Sequence, residues 1–439
     1  MRNTGLVVLV FAALLGTAGC EILSSPTPAP TSPVATVSLP PPSTPTTTPE
    51  NTVVPTGTPA TGLTTLTLWI PDFMDLYDET GNPTYLMEQI EAFNQTHRNV
   101  QVNVLVKKAS GTGGLYNLLD TAAPVAPGVL PDVVVLNETD LYRAAREALI
   151  QPLPETFSPP PSTYAIALKA SRPLTVPHAV PLLMNIEQTV YNPRLALTAP
   201  LSWTAVLSGG YSLLFPAAPP NDLADDAVLS AYLGAGGTLV DESGSPFLDR
   251  TTLEKLYGFL DTLQEENRLN AELVMELSDA NACWNAYQER RATLSVVPAA
   301  AYWTTKPRID APGWIPTPNG TPYSIAHVWS LALVTSDPAR QEAARQLVMW
   351  LSGPERAATL SQQTETLPTN REALALWGLM PEELSFFDTL LASAALPPLT
   401  EKIDRPIRQA LQAGVRLLLE EPEATPAQAA AQALLALRK

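Results

Sequence analysis

At 439 residues, 45% hydrophobic and 16% charged, the chain is long enough for more than one core, since single cores stop growing near ~250–300 residues. Its formal net charge of -17 argues against a nucleic-acid partner, which needs clustered Lys and Arg, and against polybasic attachment to anionic lipid. Proline is abundant at 45 residues, and many of these sit in one segment near the N-terminus.

The first twenty residues carry one positive charge at Arg2, an apolar run from Leu6 to Leu15, the small residues Gly16, Thr17, Ala18 and Gly19, and then Cys20. A membrane span needs roughly 20 apolar residues, so this run is too short to cross a bilayer as a stable helix. It resembles a bacterial lipoprotein signal, departing from the usual pattern at Thr17, where Leu, Val or Ile is commoner. The resemblance implies export, removal of residues 1–19 and lipidation of Cys20, with a diacylglyceryl thioether and often an N-acyl group. Two or more acyl chains hold stably, because each buried CH₂ contributes about 0.8 kcal/mol. Cys283 is the second of two cysteines, and is expected as a buried small apolar side chain with no disulfide. Residues 24–62 are rich in Pro, Thr and Ser and nearly free of large apolar side chains. Such a segment cannot offset its ordering entropy by burial, so residues 20–62 are expected to be a lipidated, disordered tether. In polyproline form, at ~3.1 Å per residue, it reaches on the order of 100 Å.

The folded body begins at residue 63. Leu66, Leu68 and Ile70 alternate with Thr65, Thr67 and Trp69, which is strand spacing. Asn82 and Pro83 predict a helix start, with Leu86, Ile90 and Phe93 on one face. Asn99–Ala109 alternates Val with polar residues as a second strand. Leu115–Ala123 reads as a short helix, Leu130–Asp140 as a buried strand ending in polar groups, and Leu141–Leu149 as a helix that Thr139 caps. The order β-α-β-α-β predicts a parallel, doubly wound sheet, with ligands beyond the carboxyl ends of the strands. Those ends are Trp69–Asp72 and Asn137–Asp140.

Later stretches add specific motifs in a fixed order. They are "TVPHAVPLLMNIEQTVYN" (Thr175–Asn192), "APLSWTAVL" (Ala199–Leu207), "GAGGTLVDESGSPFLD" (Gly234–Asp249), "CWNAYQERRATLSVVPAAAYW" (Cys283–Trp303) and the long stretch His327–Leu374. Together they resemble the extracellular solute-binding proteins of ABC importers, of the carbohydrate-binding, maltose-binding-protein-like group, over nearly the whole chain. The crossing segment departs from the family's plainer Tyr-Asn pattern, and the helix at Trp203 lacks the usual acidic residue after Trp.

The resemblance implies an α/β, two-lobed periplasmic-binding-protein type II fold, each lobe a doubly wound sheet, joined by hinge strands. Lobe one is expected over 63–175 with 297–335 returning to it, and lobe two over 176–296 with 336–439 completing it. It further implies a monomer, lipid-anchored on the outer face of the cell membrane, that binds a sugar or oligosaccharide and delivers it to ABC permease subunits. Hinge closure around the solute would create the surface that the permease recognises.

A sugar site needs aromatic platforms for apolar ring faces, and carboxylates and amides for hydroxyls. The residues expected to supply them are Trp69 and Asp72 at the first strand end, Asn137 and Glu138 at the third, and Asn185 in the crossing segment. Tyr302 and Trp303 follow a strand expected to enter the first lobe, and His327 and Trp329 precede the last hinge strand. Trp284, Trp350 and Trp377 lie in helical patterns and are expected in the core. No cofactor, metal site or catalytic residue is expected. The three histidines, His97, His178 and His327, show no metal spacing, and no Gly-x-Ser-x-Gly elbow is present. Two alternatives differ in class: a solute-sensing lipoprotein partnering a receptor, and an exported glycoside hydrolase built on Asp72 and Glu138.

Overall fold

The computed structural model describes residues 62–194, 199–306 and 308–438. The expected export signal, Cys20 and the tether as far as residue 61 lie outside the described residues. Eight strands organise the body: β1 Thr64–Pro71, β2 Val100–Lys107, β3 Val133–Asn137, β4 Ala179–Tyr191, β5 Leu213–Leu214, β6 Leu294–Pro298, β7 Ala311–Gly313 and β8 Ser324–Leu333. Along the sheet they run β2-β1-β3-β8-β4-β6-β5, with β7 beside β4 and the short strand Leu367–Pro368 also on β4. The first three strands are parallel, as their helical crossovers require. β8 is antiparallel to β3 and to β4, and β4 is antiparallel to β6.

Two clusters of buried apolar side chains flank this sheet. One gathers β1–β3, the helices Tyr85–Thr96 and Leu115–Ala122, and the helix Pro338–Leu351. The other gathers β5, β6, the helix Arg250–Glu265 and the C-terminal helices Pro381–Ala392, Glu401–Glu420 and Pro426–Ala436. The strands β4 and β8 pass from one cluster to the other. Ala179–Leu183 belongs to the first core and Met184 onward to the second; on β8, Ile325–Val328 belongs to the second and Trp329–Leu333 to the first. Leu183 pairs with Trp329 and Met184 with Val328, so both crossings lie at one level. Leu367 and Pro368 sit on β4 at the same level, opposite Met184 and Leu183.

This packing shifts the expected lobe division. Ile166, Ala167 and Ala170, placed in the first lobe by sequence, pack in the second core. Ala299–Trp303 also stays in the second core, because β6 pairs with the second-core half of β4 and the chain does not cross until Val328. The helix Pro338–Leu351 goes to the first core, since Ala343, Ala344, Leu347, Val348 and Leu351 cover that cluster. Two helix starts also differ from expectation. Asn82 does not open a helix: its amide N–H and side chain both donate to the Asp78 carboxylate (2.8 and 3.2 Å), and the helix begins at Tyr85 after Thr84. Thr139 is not a cap; Asn137 is, accepting from the Asp140 N–H at 2.8 Å, so the helix covers Glu138–Arg146.

Asp337 caps its helix ahead of Pro338, and Thr425 and Gln428 form a capping box ahead of the last one. Cys283 is free and buried, and burial raises its thiol pKa far above the usual range. No helix among the described residues is long and apolar enough to cross a membrane. Phe387 is fully buried, 5.0 Å from the Trp303 ring. Replacing Phe387 with Ala should cost about 3–5 kcal/mol in urea unfolding, the range for deleting a packed aromatic ring.

Candidate functional site

The sheet face at the crossing holds several of the polar residues singled out in the sequence. On β4, Asn185 and Glu187 share a face by strand alternation. Asn185 pairs with His327 across the β4–β8 ladder, and Asn137 pairs with Trp329 on the other side of β8. Phe73 packs edge-on against Trp329, with ring centres 4.9 Å apart. Asn137, Glu138, Asn185, His327 and Trp329 are thus brought together.

Four charged side chains tie this region across the two cores. Glu138 is the first residue of its helix, an end where the helix dipole favours a negative charge. It is buried, and its two oxygens accept from His327 Nδ1 (2.9 Å) and the Val328 N–H (2.7 Å). The other imidazole nitrogen, Nε2, donates to Asp226 Oδ2 at 2.7 Å. Asp226 opens the helix Asp226–Gly234 and accepts from Arg408 Nη2 on Oδ1 at 2.6 Å. Arg408 continues to Asp404 (2.8 Å) and to the Ala224 carbonyl (2.9 Å).

Both nitrogens of His327 face carboxylate oxygens, an arrangement that only the imidazolium satisfies fully. Burial opposes its charge, but Asp226 and Glu138 outweigh burial and hold its pKa well above 6.5. Burial also opposes the charge on Asp226, yet Arg408 and His327 keep that carboxyl below the usual range. Its neighbours behave oppositely. Burial, then Asp226, pushes Asp225 up to about 6, and burial, then Asp225 and Asp226, raises Glu187 well above its ordinary value. Asp140 is likewise pushed up to about 6, mainly by burial.

A cavity of about 440 Å³ opens beside this chain of charges. Its walls include Phe73 from the first core, Asn185, Glu187 and His327 from the crossing strands, and Asp226, Asp279 and Asn281 from helix starts of the second core. Thr364, Glu365 and Thr366 close the rim, with Glu365 in left-handed backbone at φ 51°. A second cavity of about 390 Å³ is lined by Asn117, Asp140, Arg143, Glu401 and Asp404 among others. The charge chain joins the two, since Asp226 borders the first and Asp404 the second. Among the described residues, no three His, Cys, Asp or Glu side chains are grouped to hold a metal ion.

The remaining sequence candidates lie elsewhere. Trp69 is buried in the first core because the end of β1 is covered on both faces. Asp72 is exposed and accepts the Ala109 N–H at 3.1 Å. Tyr302 and Trp303 are buried in the second core, donating to the Asp310 carbonyl (2.7 Å) and Gln188 Oε1 (2.9 Å). Sequence reasoning missed Phe73, Glu187, Asp226, Asp279 and Arg408. Glu187 carried a usable signal, since it stands two residues after Asn185 in a strand; Arg408 carried none.

His327 has a raised folded pKa, so its contribution to stability is complete below the ordinary histidine value and is lost as pH climbs through the raised value. Differential scanning calorimetry from about pH 6 to about pH 10 should therefore show a falling Tm for the native chain above ~6.5, and a flatter profile for His327→Gln.

A family model described as bacterial extracellular solute-binding protein matches residues 88–383. No curated protein matches the sequence. Solved structures with the same fold include the GacH receptor of Streptomyces glaucescens, solved unliganded and in complex with acarbose (18% identity, 86% of this chain and 98% of that one, TM-score 0.61). The sugar-binding protein MalE from Xanthomonas citri is similar at 17% identity, 85% and 97% coverage and TM-score 0.66. The cyclic α-maltosyl-1,6-maltose binding protein from Arthrobacter globiformis is similar at 16% identity, 86% and 98% coverage and TM-score 0.62.

Proposed function

Because the chain belongs to the family of bacterial extracellular solute-binding proteins, we propose that it captures a carbohydrate in the cavity at the crossing of β4 and β8 and hands it to an ABC permease. The observation that carries this reading is the cavity itself, set between two cores. Its amide, hydroxyl and carboxylate groups match sugar hydroxyls, and Phe73 offers an apolar face. The structural relatives described as binding acarbose or maltosyl sugars support the same class of solute. Asn185 and Glu187 are proposed as ligand contacts, and His327, with both ring nitrogens engaged by Glu138 and Asp226, as part of the wall. Asn137, Glu138 and Trp329 are proposed to hold the cavity wall, because their polar groups and rings are already engaged within the protein.

The reading is one of binding without catalysis. Both oxygens of Glu138 accept hydrogen bonds from β8, which leaves neither free to protonate a leaving group. In this proposal the protein works outside the cytoplasm as a monomer, with Cys20 lipidated and residues 20–62 as its tether to the membrane.

A sugar panel tests the solute class. A saccharide at 100 times its Kd should stabilise the protein by about 2.7 kcal/mol, visible as a rise in Tm. If no mono- or oligosaccharide moves the Tm, the carbohydrate reading fails. The anchor is tested separately: intact mass of the protein isolated from membranes should show a chain beginning at Cys20 with an added diacylglyceryl mass. An unmodified N-terminus at any other residue would remove the anchor from the proposal.

A further inference from the structure

A third hollow, of about 410 Å³, opens where the two cores face each other. Tyr142, on the helix Glu138–Arg146 of the first core, forms one wall. Leu239, Val240, Leu396, Leu399 and Ile403 form the other, on segments packed against the second core. Among the described residues, no charged side chain lines it. All of these side chains are partly open to solvent, and Val240 is 43% exposed, so the apolar surface is without a partner. The hollow adjoins the cavity of about 390 Å³ that holds Asn117 and Asp140: Pro398 lines both, and the same two helices wall both. On Glu138–Arg146, Asp140 and Arg143 line the cavity and Tyr142 lines the hollow. On Glu401–Glu420, Glu401 and Asp404 line the cavity and Ile403 lines the hollow. The trough between the helices therefore changes from polar to apolar along its length. Its polar end reaches the first cavity, because one guanidinium, that of Arg408, binds both Asp226 in the first wall and Asp404 in the second.

We propose that the solute is a glycoside with an apolar substituent, aryl or short alkyl, which occupies this hollow while the saccharide occupies the polar cavities beside it. The inference rests on the carbohydrate reading above and narrows it. Hinge closure alone does not fill the hollow. The helices that wall it also wall the polar cavity, so a saccharide ring held between them there keeps them apart on the apolar side too. Water in the hollow would leave Val240, Leu399 and Ile403 hydrated, which is unfavourable. A further sugar ring would displace that water, but its hydroxyls would face Leu, Val and Ile, with only the hydroxyls of Tyr142 and Thr400 as side-chain partners. An aryl or alkyl group covers the apolar walls and strands no polar atom. The Tyr142 ring, with the Arg146 guanidinium 5.6 Å from its centre, offers an aromatic contact to an aryl group.

Titration calorimetry of the full chain against matched pairs tests this: the phenyl and the methyl glycosides of glucose, galactose, xylose, maltose and maltotriose. Within a pair the saccharide is the same and only the substituent differs. In at least one pair the phenyl glycoside should bind about tenfold or more tightly, the effect of burying one aromatic ring. That ratio should fall towards one in Val240→Asp, which places a charge in the hollow, and persist in Val240→Ile. Because the ratio is read within one protein, a general loss of fold would weaken both glycosides and leave the ratio alone. Equal affinity within every pair, or a preference unaltered in Val240→Asp, overturns the inference and leaves the carbohydrate reading standing. Binding by no member of any pair also overturns it, and the saccharide panel then decides the carbohydrate reading by itself. Phenol binding as tightly as the phenyl glycosides overturns both, since the saccharide would then add nothing.

Discussion

The position of the two halves of this protein depends on one interaction, the imidazolium of His327 held between Glu138 and Asp226. Each carboxylate opens a helix, and the two helices belong to different cores. Buried ion pairs often gain little over apolar packing, because desolvation offsets the attraction. Here the geometry is favourable on every side: Glu138 also takes a backbone N–H, and Asp226 also takes a guanidinium. The balance is specific rather than merely adhesive. Removing any member strands a buried charge of the opposite sign, so the four residues act as a unit.

That unit also explains the electrostatics around it. With Arg408 and His327 spent on Asp226, the adjoining acids Asp225 and Glu187 have no cation of their own. The cavity is acidic because its positive charges were used in holding the fold. The tryptophans tell a parallel story. A sugar site was expected to display Trp69, Trp303 and Trp329, but Trp69 and Trp303 are buried in packing, and four indoles give their N–H to a carbonyl or amide oxygen. Trp203 donates to Pro316, Trp303 to Gln188, Trp314 to Gly320 and Trp377 to Ala358. The aromatic ring that does reach the cavity wall is Phe73.

Much of the first core was legible, because its strands and helices are local patterns. Leu86, Ile90 and Phe93 follow helical spacing and are buried together, and β3 is a continuous apolar run covered on both faces. The crossings were harder. Strand alternation does not say which core a strand joins, so Tyr302 and Trp303 were assigned to the cleft when β6 keeps them in the second core. Site residues from distant segments were hardest. Asp226 and Arg408 are 182 positions apart, and nothing local in either segment announces the other. Asn137, Glu138, Asn185 and His327 were found because each interrupts an apolar strand or ends one, which is a local anomaly with few packing uses.

The level crossing of β4, β8 and Leu367–Pro368 has a mechanical consequence. Three adjacent, hydrogen-bonded stretches pass between the cores side by side, as a narrow ribbon. A ribbon resists stretching and in-plane shear, because either would break several ladder bonds at once. It yields readily to bending about the axis that lies in its plane and runs across the strands. Relative movement of the two halves is thereby reduced to nearly a single rotational degree of freedom. Any approach of the cavity walls is thereby confined to one arc, along which their facing groups keep the same register.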